Sequence, residues 1–118
     1  MKVQINTDSN ISISQELGAE IQEKIDRALK RFSDRITRIE VHLSDLDSTK
    51  AGPDDKRCVI EARVAGLNPV TVSHSAQSSS LAVDGACEKI VNALNTVFGR
   101  RDAVQHDKII PSDSSDPA

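Results

Sequence analysis

Asp34-Arg-Ile-Thr-Arg-Ile-Glu-Val-His-Leu-Ser44 sets Ile39, Val41 and Leu43 on one side of an extended chain and Arg38, Glu40 and His42 on the other. That period of two belongs to a half-buried strand over 36–44. On its N-terminal side the period changes. Leu17, Ile21, Ile25, Ala28, Leu29 and Phe32 recur every three or four residues, the apolar stripe of an amphipathic helix over 15–32. Ser14 stands where an N-cap is needed, and Glu16 puts a negative charge in the first turn, where the helix dipole favours it. Further upstream, residues 2–7 alternate again, with Val3 and Ile5 opposed to Lys2, Gln4 and Asn6, and the turn formers Asp8, Ser9 and Asn10 end that strand.

On the C-terminal side, residues 45–56 are rich in turn formers and lack any apolar pattern, so they read as a loop. A third strand over 57–65 turns Cys58, Ile60, Ala62 and Val64 inward and Arg57, Glu61 and Arg63 outward. Gly66-Leu-Asn-Pro69 is a hairpin connection, and Val70, Val72, His74 and Ala76 line a fourth strand. Ser78, Ser79 and Ser80 offer caps for a second helix over 80–98. Val83, Ala86, Cys87, Ile90, Leu94, Val97 and Phe98 form its stripe, with Gly99 as its expected stop. The order strand, helix, strand, strand, strand, helix predicts an α+β domain (β-α-β-β-β-α) over residues 1–101. It is a four-stranded mixed sheet with two helices packed on one face, because each strand has one apolar face and each helix one apolar stripe to bury. Residues 102–118 are too polar to bury and are expected to be a disordered tail.

The 118 residues are 37% hydrophobic and 28% charged, enough for one core. No apolar run approaches the ~20 residues of a membrane span, and Met-Lys-Val-Gln-Ile-Asn lacks a signal-peptide stretch. The expected location is therefore the cytoplasm, away from a membrane. Phe32 and Phe98 are the only aromatics, which disfavours nucleic-acid binding by base stacking. The net charge of −3 argues against a globally basic binder, yet the charge is unevenly placed. Lys24, Arg27, Lys30, Arg31, Arg35 and Arg38 against Asp26 and Asp34 give residues 24–38 a net +4, and six bases against three acids give 56–101 a net +3. Only the fold decides whether the two basic blocks meet.

Three stretches in order carry a family resemblance. Leu17, Ile21 and Lys24-Ile25 lead to Phe32; Asp34 to Ser44 follows; and Ala82-Val83-Asp84 with Glu88-Lys89-Ile90 opens the second helix. The chain over 1–101 thereby resembles the short form of the ribosome hibernation promoting factor and ribosome-associated inhibitor family, also called ribosomal subunit interface proteins. The resemblance implies a non-enzymatic, stress-linked factor that binds the small ribosomal subunit through rRNA contacts and silences or protects idle ribosomes. It needs neither cofactor nor small-molecule substrate. It places RNA-contacting bases at Lys24 and Lys89. Arg27, Lys30 and Arg31 extend the first helix's run, Arg35 and Arg38 come after it, and Arg100 and Arg101 follow the second helix. Such cations neutralise phosphates and release counterions without reading bases. They do so together only if they gather into one electropositive ridge.

Other readings of the same residues stand beside these. Glu20–Lys24, Glu23–Arg27 and Asp26–Lys30 are acid-first i,i+4 pairs that would suit an ordinary solvated helix face. Arg31, Arg35 and Arg38 lack such partners. The exposed face of the second helix shows Glu88, Lys89, Asn92, Asn95 and Thr96, with a single base. That poverty favours an alternative function, a protein-interaction module on the same scaffold with reduced RNA binding. Cys58 and Cys87 fall on core faces and read as small buried residues, with a redox pair as the lesser alternative. His42, His74 and His106 have no ligand-like spacing, so no metal site is expected, and no catalytic motif appears.

Overall fold

Strand β1 (Lys2–Thr7) leads into helix α1 (Gln15–Leu29), which tightens into a 3₁₀ turn at Lys30–Phe32 before strand β2 (Ile36–Asp45). Strands β3 (Lys56–Val64) and β4 (Val70–Ala76) follow, and helix α2 (Ser79–His106) closes the chain. The computed structural model describes residues 1–8, 13–45 and 56–106, with side chains through Gly99. Ser14 caps α1 as its sequence requires, its hydroxyl accepting from the Leu17 N–H at 3.0 Å. Ser78 does the same for α2, accepting from Leu81 N–H at 3.1 Å.

The sheet order is β1-β2-β3-β4, with β1 parallel to β2 and the other pairs antiparallel. The β3–β4 hairpin turns through Gly66, whose φ of 78° is left-handed backbone that a side chain disfavours. Both helices lie on one face of the sheet. Ile21, Ile25 and Leu29 of α1 and Val83, Ala86, Ile90 and Leu94 of α2 meet Ile39, Val41, Leu43, Cys58, Ile60 and Ala62 of the sheet. Burying each of the larger aliphatic chains is worth about 1.5–3 kcal/mol, so this single layer is the main source of stability. Among the described residues no helix is long and apolar enough to cross a membrane.

Three details differ from the sequence reading. Alternation alone would put Ile36 on the same side as Arg38, yet Ile36 is buried. A register shift between Ile36 and Arg38 supplies the half-turn that sends one into the core and the other outward. Thr37 sits in that bulge and donates its hydroxyl to the Arg63 carbonyl at 3.1 Å. Second, Gly99 does not stop α2. Its backbone is not left-handed, and the helix continues to His106, so residues 102–106 are helical rather than part of a tail. Third, the expected helix end at 30–32 is tightened to 3₁₀. Residues 46–55 of the expected loop and 107–118 of the expected tail lie outside the described residues, as do His106's side chain and the turn residues Ser9 and Asn10.

Candidate nucleic-acid interface

The two helices run side by side in the same direction, as their paired contacts show: Lys24 with Ser80 and Asp84 near the start, Phe32 with Phe98 near the end. Near the start the Lys24 ammonium is held 2.7 Å from Asp84, 3.3 Å from Glu20 and 2.7 Å from the Ser80 hydroxyl, which itself donates to Glu20 at 3.1 Å. Burial opposes the charged form of Lys24, but hydrogen bonds and charge from Asp84 and Glu20 outweigh it and raise the pKa above that of an ordinary lysine. Asp84 is therefore the partner that ties α2 to α1. Lys24 itself is turned inward to two carboxylates.

At the far end the basic groups are set differently. Phe32 and Phe98 pack ring to ring at 5.4 Å between centroids. The Arg31 guanidinium lies 4.8 Å above Phe32 and the Arg35 guanidinium 4.2 Å above Phe98, so each ring carries a stacked cation. Arg31 also donates to the Asn95 side chain across the helix pair. These contacts hold both guanidiniums beside the ring pair, and a guanidinium is suited to meeting phosphate oxygens. Arg27 is exposed beside them and pairs with Glu23 at 2.7 Å. Of the i,i+4 pairs read from the sequence, Glu20–Lys24 and Glu23–Arg27 both close.

The remaining predicted cations are elsewhere. Arg38 stands on the opposite face of the sheet, 3.0 Å from Glu40, and donates to Gln4, so the partners it lacked among the i,i+4 pairs come from the sheet. Lys89 lies on the far side of α2, where it donates to the Ser73 carbonyl of edge strand β4 at 2.9 Å. That contact covers part of an otherwise open sheet edge. Arg100 and Arg101 continue α2, but their side chains lie outside the described residues. Arg31 and Arg35 thus meet over the Phe32–Phe98 pair, with Arg27 one turn earlier on α1, whereas Lys24, Arg38 and Lys89 do not join them in one ridge.

A family model for sigma 54 modulation protein / S30EA ribosomal protein matches residues 3–101. The chain belongs to this family. Two solved structures share the S30EA fold. A ribosomal subunit interface protein from Coxiella burnetii has a TM-score of 0.70 at 16% identity, covering 84% of this chain and 99% of that one. The Protein Y N-terminal domain of Thermus thermophilus has a TM-score of 0.65 at 19% identity, covering 82% of this chain and 99% of that one. No curated protein matches the chain significantly.

Other chemistry in this S30EA chain is muted. Burial raises the Cys58 thiol to about 12, with a further push from Cys87. Cys87 rises to about 11 by burial and by Asp84, against a lowering by Lys24. Neither is poised as a nucleophile. His74 is half-buried under α2, and His42 pairs with Glu40 at 3.3 Å on the open sheet face. Among the described residues no group of three His, Cys, Asp or Glu side chains could hold a metal ion. The sequence reading overlooked Lys2, Arg57 and Arg63 as binding candidates. Their signal was the outward parity of strands β1 and β3, which becomes informative only when the register places Lys2 and Arg63 beside Arg38 and Arg57 further along the same face.

Proposed function

We propose that this protein binds the small ribosomal subunit through contacts to rRNA phosphates and silences or protects idle ribosomes, as a cytoplasmic, non-catalytic factor. The observation that carries this reading is the family match across residues 3–101. The name of the Coxiella relative, a ribosomal subunit interface protein, supports the same partner. Arg27, Arg31 and Arg35 are the principal proposed contacts on the helical layer, since two of them lie over the paired aromatic rings. Lys24, Arg38, Lys89, Arg100 and Arg101 complete the proposed set. Cations so placed neutralise phosphates and position the domain, and the scarcity of aromatics excludes reliance on stacked bases.

The test is co-sedimentation of the protein with purified small subunits on a sucrose gradient at low and high salt. Wild type is expected to travel with the subunit at low salt and to leave it as salt rises, and changing Arg27, Arg31 and Arg35 to Glu should keep it at the top. Unaltered co-migration of that variant would remove the helix end as the contact. Wild-type protein that never enters the particle fractions would favour the protein-interaction module instead, a reading supported by the inward ties of Lys24 and Lys89.

A further inference from the structure

The face of the sheet turned away from the helices has nothing packed on it among the described residues, and its side chains follow from the register. Lys2, Arg38 and Arg63 lie abreast on β1, β2 and β3. The next row outward-facing is Gln4, Glu40, Glu61 and Thr71, followed by Asn6, His42, Val59 and Ser73. Arg57 lies beyond these, flanked by Ser44 and Ser75. Four cations (Lys2, Arg38, Arg57, Arg63) therefore face two carboxylates (Glu40, Glu61), a net of +2 on a molecule whose total is −3. The helical layer has no such excess. Residues 16–35 and 79–106, which span α1, its 3₁₀ turn and α2, carry eight cations against eight carboxylates, a net of zero.

Exposure widens the difference. On the open face the side chains of Arg38 and Arg63 are 37% and 52% exposed, whereas their partners Glu40 and Glu61 are 16% and 25% exposed. The acids lie low and the guanidiniums stand above them. Three cations in one row at the ~4.8 Å spacing of strands repel one another, a cost that a bound polyanion removes. Among the described residues Val59 is the single apolar one on this surface, and it is half-buried; the large exposed hydrophobics, Met1 and Leu81, lie outside these rows. A protein partner would find no apolar anchor here. No aromatic faces outward either, so nucleic acid would be met at its backbone.

We infer that this open sheet face is a second RNA-binding surface, one that takes the sugar–phosphate backbone of ribosomal RNA through the Lys2–Arg38–Arg63 row and Arg57. The inference rests on the ribosome reading above and adds a contact on the side of the domain opposite to Arg27 and Arg31.

The test compares Arg57→Glu/Arg63→Glu with wild type and with Arg27→Glu/Arg31→Glu, binding each to purified small subunits between about 50 and about 200 mM salt. Both sites point to solvent, and Arg57→Gln/Arg63→Gln serves if charge reversal disturbs folding. The sheet variant should bind at least about tenfold more weakly at the lowest salt, with a slope of log affinity against log salt shallower by about 1.5, the share of two phosphate contacts. Wild-type affinity and slope in the sheet variant, with the helix variant impaired, would overturn the inference and leave the ribosome reading intact. A weaker complex with an unchanged slope would mean that the face meets something other than phosphate, and would overturn it too. Wild-type protein that does not bind the subunit at any salt would remove both.

Discussion

Gly85 lies where α2 crosses β4, and a Cβ built there would fall inside the imidazole of His74. The helix can approach the strand this closely only without a side chain at 85, so Gly85→Ala must displace either the ring or the helix. It is expected to destabilise by about 1–3 kcal/mol, the usual scale of overpacking, and thermal unfolding will show it. Gly99 has nothing within 4 Å of the same construction and sits inside the helix, so Gly99→Ala is expected to stabilise by up to about 1 kcal/mol. Equal effects of the two substitutions would refute the argument. Three titrating groups also share one sign. Lys24, Cys58 and Cys87 all hold their protons more tightly when folded, the thiols to about 12 and about 11. Unfolded thiols ionise near about 8.5 and unfolded lysine near about 10.4, so above about 8.5 the unfolded chain binds fewer protons and gains ground. Their contribution is complete at neutral pH and is lost as pH climbs towards 11. The urea midpoint should therefore be level near pH 7 and fall from about pH 9, and Cys58→Ala with Cys87→Ala should flatten the fall. A midpoint unchanged up to pH 10.5 would rule this out.

Among the elements, β1 is the least secured. It is an edge strand paired only with β2, and Val3 and Ile5 on its inner side are half-buried, whereas β3 sits between two strands with Cys58, Ile60 and Ala62 fully covered. Its amides should exchange with deuterium through local opening, well before those of β3, which require global unfolding. Equal protection of the two strands would contradict this picture. Element types were legible because their causes are local. The apolar stripe from Leu17 to Phe32 and the alternation from Ile39 to Leu43 each state their own period, and Ser14 marks its own cap. The misses are non-local. Ile36 is buried because a bulge at Thr37 is held by the Arg63 carbonyl of another strand, which no window of sequence displays. Gly99 resembles a stop, but glycine merely permits left-handed backbone and does not impose it, so the helix runs on.

At the scale of the whole molecule, the basic block at 24–38 was visible in the sequence but its effect was not. Glu16, Glu20 and Glu23, which precede that block along the chain, share its helix, and Asp84 arrives from α2 to bind Lys24. The same fold sends Arg38 through the sheet to the other side, where Lys2 and Arg63 meet it from distant positions. Charge is thus divided between faces, and a polyanion should sense the face rather than the sum. A heparin column at low salt separates these two possibilities. Arg57→Glu/Arg63→Glu and Arg27→Glu/Lys30→Glu both shift the net charge from −3 to −7, so total charge alone would make them elute together. If the exposed sheet guanidiniums govern the long-range field, wild type is retained despite its negative total. The sheet variant then elutes at lower salt than the helix variant, because fields screened over ~10 Å leave each face to act separately. Co-elution of the two variants would show that the division between faces is too weak to direct a polyanion.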